Sequence, residues 1–147
     1  MRHLPTAARY LLGLIFFVFG LNFFLHFIPM PTNTPAPAAA FGGAMAATGY
    51  LYLLLKITEV TSGILLLANR FVPLALTLLA PIIVNIFCFH LFLEGPTTLL
   101  LPIVILALEL YLAYSYRAVY LPMLQPKVSP ATSGEHARPK SSAHATA

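Results

Sequence analysis

Residues 53–67 of this chain read LLLKITEVTSGILLL, an apolar run with a lysine and a glutamate three residues apart near its middle. The run belongs to one of four long apolar stretches, residues 7–28, 50–68, 71–93 and 99–119. A helix needs about 20 apolar residues to cross the hydrocarbon core of a bilayer. The four stretches therefore predict an all-α membrane protein, a bundle of four transmembrane helices that forms one domain over residues 7–120.

The composition of the whole chain agrees with this interpretation. Of its 147 residues, 59% are hydrophobic and 8% are charged, whereas soluble domains carry about 25% charged residues. The net charge of +4 comes from basic residues that are scattered singly, so no nucleic-acid partner is expected. The single cysteine, Cys88, excludes an internal disulfide and a site of several thiolates made by this chain alone.

The segments between and after the stretches predict the connections of the bundle. Residues 29–49 form the longest loop, and residues 38–48 within it are small and apolar enough for a helix that lies on the membrane or partly re-enters it. The other two joints are short, which predicts antiparallel neighbours. Residues 121–147 are polar and rich in Pro, Ser and Ala, which predicts a disordered tail.

The basic residues indicate the orientation. With four crossings, every Lys and Arg except Lys56 falls on one side of the membrane: Arg2, Arg9, Arg70, Arg117, Lys127, Arg138 and Lys140. Because cytoplasmic loops carry the excess of Lys and Arg, both termini are expected to be cytoplasmic. A cleaved signal peptide ending at the Ala-x-Ala of residues 38–40 is the alternative, but the apolar run of residues 10–28 is longer than the typical 7–15 residues.

Helical spacing places five residues of the second stretch on one stripe, because three or four residues separate each from the next: Gly49, Tyr52, Lys56, Glu59 and Gly63. The glycines at the two ends would let a neighbouring helix approach closely. Lys56 and Glu59 are able to pair across one helical turn. On the first helix, Gly13 and Gly20 lie at heptad spacing and are expected to form a contact surface.

The other stretches carry polar residues in the middle and outer half of the predicted bilayer: Asn22, His26, Asn85, His90 and Glu109. An ionised side chain at a helix centre costs about 2.5–3.5 kcal/mol on insertion scales, so pairing, protonation or access to water must offset the cost. These residues, with Tyr52, Lys56 and Glu59, predict a ligand pocket that opens toward the outer face. In the alternative, they only hold the helices in register through polar contacts. The histidines lack the paired spacing of metal ligands, so no metal is expected.

Three segments, ARYLLGLIFFVFGLNFFLHF, MAATGYLYLLLKITEVTSGILLL and NIFCFHLFL, resemble the DoxX family of small four-helix bacterial membrane proteins. The features that match are Arg9, Gly13 and Gly20, the run Gly49…Lys56-x-x-Glu59…Gly63, and the pair Asn85…His90. The resemblance covers about residues 9–120, and the Lys-x-x-Glu helix with its glycines is its most specific part.

The resemblance implies a redox-associated subunit of a bacterial inner membrane, with a quinone-like or other small amphipathic ligand near Lys56 and Glu59. The family takes its name from a membrane subunit of a thiosulfate:quinone oxidoreductase, so a soluble or membrane redox protein is an implied partner. In this interpretation Lys56 donates to a ligand oxygen, and Glu59 holds Lys56 and exchanges a proton. The sequence has no dithiol, haem-attachment motif or nucleotide fingerprint, so we expect no stand-alone enzyme.

Two other functions stay open at this point. The first is a non-catalytic scaffold that anchors a soluble oxidoreductase in the membrane. The second is a small transporter, which would have to be a homo-oligomer because four helices are few for transport.

Overall fold

The computed structural model describes residues 3–29 and 33–127, and every regular element within these ranges is a helix. The longer elements are α1 (Leu4–Leu25), α2 (Ala36–Ala47), α3 (Leu51–Leu67), α4 (Val72–Phe89), α5 (Leu100–Ser115) and α6 (Arg117–Tyr120). A π-helical turn, His90–Glu94, continues α4, and 3-10 turns at Pro96–Thr98 and Leu121–Leu124 precede α5 and follow α6. The predicted all-α class is confirmed for this part of the chain.

Some predictions fall wholly or partly outside the described ranges. The tail was predicted to begin at residue 121; its first residues form the turn Leu121–Leu124, and residues 128–147 lie outside the described residues. Three of the basic residues used to predict the orientation also lie outside the described residues: Arg2, Arg138 and Lys140.

Two of the helical segments are individually long and apolar enough to cross a membrane, α1 and the continuous segment Val72–Glu94. Helix α2 meets α3 at 94°, and α5 meets the segment Arg117–Leu124 at 69°; the number of candidate spans rises to four if each bent pair is one span. Helix α1 covers Leu4–Leu25 rather than the predicted 7–28, and α5 ends at Ser115, where the chain bends.

Four helices pack around one apolar core, because α1 contacts α3 and α5, and α4 contacts the same two helices. Each helix contributes fully buried aliphatic side chains, such as Leu12, Leu66, Leu79 and Leu112. Large apolar side chains also cover the outside of the helices, for example Leu14, Leu54, Leu78 and Leu110. An apolar exterior around an apolar core is what a protein that contacts lipid requires.

The α1–α3 contact is the most extensive in the fold, and glycines lie at its closest points. A Cβ atom on Gly63 would lie 2.7 Å from the backbone nitrogen of Phe17 and 3.0 Å from the carbonyl oxygen of Gly13. A Cβ on Gly20 would lie 2.8 Å from a methyl carbon of Val60. The two backbones approach this closely only because glycine has no side chain.

Gly49 differs from this pattern, although it was predicted to belong to the same stripe. It lies before the first residue of α3, in the bend after α2, at a φ of +75°, and a Cβ there would meet nothing within 4 Å. Glycine adopts positive φ without strain, so Gly49 shapes the bend between two helices. The helical stripe of α3 therefore begins at Tyr52.

Arg9 makes a contact that the sequence did not reveal. Its side chain is 4% exposed, although it lies on the second turn of α1, and its guanidinium donates hydrogen bonds to the carbonyl oxygens of Leu66 and Leu67. These carbonyls end α3, where the helix dipole leaves a partial negative charge. Arg9 therefore caps α3 and stabilises its position against α1, in addition to counting among the basic residues near the N-terminus.

Candidate functional site: a polar pocket between helices α2, α3 and α4

Lys56 and Glu59 form an ion pair on α3, which confirms that the two residues pair across one turn. The ammonium nitrogen of Lys56 lies 2.7 Å from Oε2 of Glu59. The Glu59 side chain is 3% exposed and the Lys56 side chain 22% exposed, so the carboxylate is buried while the ammonium group reaches an opening. A lysine has three N–H donors, and this contact uses one of them.

The opening that Lys56 reaches is a pocket of about 180 Å³ between α2, α3 and the end of α4. Its polar lining is made by Tyr52, Lys56, Glu59, Asn85 and His90. Apolar side chains complete the wall: Phe41, Met45, Leu55, Ile82, Ile86 and Phe89. The fold thus brings five of the residues that the sequence predicted as ligand-binding to one cavity.

His90 is oriented by the π-helical turn that begins with it. Its Nδ1 lies 2.7 Å from the carbonyl oxygen of Ile86, and its Nε2 lies 3.5 Å from Oε2 of Glu94. A carbonyl oxygen only accepts hydrogen bonds, so the contact assigns a hydrogen to Nδ1. The ring of Phe89 packs against the imidazole edge-on, with 5.4 Å between the ring centroids. The turn therefore orients the ring, with Nδ1 toward the backbone of α4 and Nε2 toward Glu94.

A second cavity of about 320 Å³ adjoins the polar pocket and shares Phe41, Met45, Leu55, Ile82 and Asn85 with it. Its other lining residues are Leu51 and Pro81, so Asn85 contributes the single polar side chain of this wall. One continuous groove thus has a polar end, at Lys56 and His90, and an apolar end. That division matches a molecule with a polar head and an apolar tail.

Helix α2 covers the groove through Phe41 and Met45, which line both cavities. The ring of Phe41 lies 5.7 Å from that of Phe89, and Ala38 is the one residue of α2 that is fully buried. Sequence reasoning did not select Phe41 and Met45. A signal was available, because they are the two large side chains in APAAAFGGAMAA and are four residues apart, on one helix face.

Asn22 and His26, which were predicted to join the same pocket, lie elsewhere. They line a third cavity, of about 330 Å³, between α1 and α3, together with Phe19, Phe23, Tyr52 and Lys56. The Asn22 amide is occupied by the backbone of Ile28: its Oδ1 accepts from the N–H at 2.6 Å, and its Nδ2 donates to the carbonyl oxygen at 3.2 Å. Tyr52 and Lys56 separate the two cavities, so the predicted single pocket is divided by α3.

Glu109 was predicted to be a second carboxylate of the pocket, and it lines none of the three cavities. It lies on α5, is 5% exposed, and faces the core between the helices. Its Oε2 has no hydrogen-bond partner in the described part of the chain, and the same is true of the buried hydroxyl of Ser62 on α3. Glu109 is therefore a buried acid apart from the groove.

No family model matches the chain, and no curated protein or solved structure matches it either. Its resemblance to the DoxX family therefore stays a prediction from the sequence. Within residues 3–29 and 33–127, no three His, Cys, Asp or Glu side chains are grouped in a way that could hold a metal ion. What the site can do thus follows from the geometry of the groove.

Proposed function

We propose that this protein is a four-span protein of a bacterial inner membrane that binds a small amphipathic molecule in the groove beneath α2. The observation that carries the proposal is the division of the groove into a polar end and an apolar end. The head group of the ligand accepts a hydrogen bond from Lys56, and its tail lies between Phe41, Met45 and Pro81. A quinone-like head, whose oxygens are acceptors, belongs to this class.

The geometry of the ion pair favours a binding site over a purely structural role. Lys56 and Glu59 belong to the same helix, three residues apart, so their contact joins two turns of α3 and cannot hold α3 against a neighbour. A polar contact that keeps helices in register has to cross between helices. Glu59 instead fixes the side chain of Lys56, which lines the polar pocket, and leaves the other donors of the ammonium group for a ligand.

Association with an oxidoreductase rests on the DoxX resemblance alone. In that proposal the protein is the membrane subunit of a redox complex, and its partner is a soluble or membrane redox protein. The chain supplies the ligand site, and the partner supplies the electron-transfer groups.

The binding proposal is tested by mass spectrometry of small molecules that remain with the full-length protein in nanodiscs of native lipid. We expect a defined amphipathic compound in the wild type and its loss in Lys56→Met. Lys127→Met is the matched control, because it makes the same substitution at an exposed lysine outside the groove. Equal retention by Lys56→Met, or bulk lipid alone in all three samples, would contradict the proposal.

The orientation is tested with reporter fusions. A green fluorescent protein fused after Ala147 is expected to fluoresce, because the C-terminus is proposed to be cytoplasmic. Alkaline phosphatase fused after Gly95, between α4 and α5, is expected to be active, because that joint is proposed to face outward. The reverse pattern would refute the proposed orientation, and both reporters on one side would refute a crossing between them.

A further inference from the structure

The cavity of about 330 Å³ between α1 and α3, called the α1–α3 cavity below, is separated from the groove by Tyr52 and Lys56. It is lined by two phenylalanines and four polar side chains: Phe19, Phe23, Asn22, His26, Tyr52 and Lys56. Tyr52 and Lys56 also line the polar pocket under α2. Lys56 therefore borders two different spaces.

The ion pair of Lys56 and Glu59 presents different charges to these two spaces. Both partners line the polar pocket, whereas only Lys56 of the two lines the α1–α3 cavity. Among the described residues, no Asp or Glu lines this cavity. Glu59 uses one of the three N–H donors of the ammonium group. The α1–α3 cavity thus faces the positive end of the ion pair, and His26 adds a second group that is cationic when protonated.

The position of the α1–α3 cavity corresponds to that of a lipid head group. His26 is the C-cap of α1, so the cavity lies at the end of that helix. Lys56 is about 8 Å along the axis from the first residue of α3, and a lysine side chain extends toward a membrane surface over such a distance. Phe19 and Phe23 are 45% and 37% exposed, so they offer apolar surface to acyl chains beside the cavity.

The backbone that carries His26 is held in place by Asn22. The N–H of His26 donates to the carbonyl oxygen of Asn22 at 2.8 Å. The Asn22 side chain, which is buried, forms hydrogen bonds with both the N–H and the carbonyl oxygen of Ile28. His26 is therefore positioned at the cavity by contacts within the protein and needs no ligand to place it there.

We propose that the α1–α3 cavity binds the anionic head group of an acidic phospholipid. The head group accepts hydrogen bonds from Lys56 and His26, and the acyl chains lie along Phe19 and Phe23. The inference goes beyond the proposed function, because His26 and Phe19 line neither part of the groove. A zwitterionic lipid has the same phosphate, but its own ammonium group is repelled by Lys56.

The test compares two phospholipids with identical acyl chains, the anionic palmitoyl-oleoyl-phosphatidylglycerol and the zwitterionic palmitoyl-oleoyl-phosphatidylcholine. The full-length protein in a neutral detergent is titrated with each lipid, and native mass spectrometry measures the fraction of protein that carries the first bound lipid. A hydrogen bond to a charged group is strong enough for a tenfold difference. We therefore expect wild type to bind phosphatidylglycerol about tenfold more tightly than phosphatidylcholine.

Variants of two lining residues locate this preference. His26→Leu removes one donor and should lower the preference about threefold. His90→Leu is the matched control, because His90 lines the groove and not the α1–α3 cavity, so its preference should equal that of wild type. Lys56→Met should abolish the preference, whereas Lys56→Arg, which keeps the cation, should retain it. The comparison of His26→Leu with His90→Leu stands even if a variant of Lys56 does not fold.

Three outcomes would overturn the inference. The first is equal affinity of wild type for the two lipids. The second is a preference that His26→Leu and Lys56→Met leave intact, because it would come from basic residues at the opposite ends of the helices, such as Arg70. The third is displacement of phosphatidylglycerol by oleate at equal concentration, which would assign the cavity to a fatty acid. A preference lost in His26→Leu, with no defined compound retained by wild type in native-lipid nanodiscs, would support the lipid site and contradict the groove function.

Discussion

Alanine at Gly63 would place a Cβ atom inside the closest contact of the fold. That atom would lie 2.7 Å from the backbone nitrogen of Phe17 and 3.0 Å from the carbonyl oxygen of Gly13. Non-bonded heavy atoms prefer about 3.5 Å, so the overlap with Phe17 is roughly 0.8 Å. Both opposing atoms are backbone, which no rotamer change can move, so α1 and α3 would have to separate.

The size of the effect follows from two opposing terms. Overpacking of this kind costs about 1–3 kcal/mol, and backbone obstacles argue for the upper part of that range. Alanine has a better helix propensity than glycine by about 1 kcal/mol. We therefore expect Gly63→Ala to lower the free energy of unfolding by about 1–2 kcal/mol.

Gly43→Ala is the matched control, because a Cβ at this helical position would meet nothing within 4 Å. This variant gains the higher helix propensity of alanine without a steric overlap. It should therefore leave the free energy of unfolding unchanged or raise it by up to about 1 kcal/mol. Both variants are compared with wild type in detergent micelles by titration with sodium dodecyl sulfate, followed by circular dichroism. A Gly63→Ala protein as stable as wild type, or equal shifts in both variants, would refute the close-contact argument.

Three further predictions concern ionisable side chains of the helices. Lys56→Met should destabilise the protein more than Glu59→Gln, because it leaves the Glu59 carboxylate, the more deeply buried partner, without its cation. Equal losses of unfolding free energy in the two variants, measured by the same titration, would contradict this. Arg9→Met should cost about 1.5–3 kcal/mol through the lost cap of α3, whereas Arg70→Met, at an exposed arginine, should cost little; similar losses for both would refute the capping role. Glu109 lacks a partner for Oε2 and is surrounded by core side chains, so we expect it to be a neutral acid that dicyclohexylcarbodiimide modifies, with labelling lost in Glu109→Gln; an unlabelled wild type would count against this.

Local features of the fold could be predicted from the sequence because they depend on neighbours along the chain. The length of each apolar run placed α1, α3, α4 and α5 within a few residues of their observed ends. The small, apolar residues 38–48 predicted a helix, and α2 (Ala36–Ala47) overlaps most of that segment. The spacing of Lys56 and Glu59 determined their ion pair, since residues three apart on a helix are neighbours in any tertiary arrangement.

Tertiary structure alone decided which polar residues meet. In a chain whose helices are apolar on both their inner and outer faces, hydrophobic periodicity does not reveal how each helix is rotated. From the sequence, Asn22 and Glu109 were therefore grouped with Lys56. In the fold, the Asn22 amide is hydrogen-bonded to the backbone of Ile28, and the Glu109 side chain is buried in the core. The 94° bend at Gly49 brings α2 across the groove that Lys56 lines. The sequence did not predict this angle, because the angle of a turn depends on the packing of the helices at both of its ends.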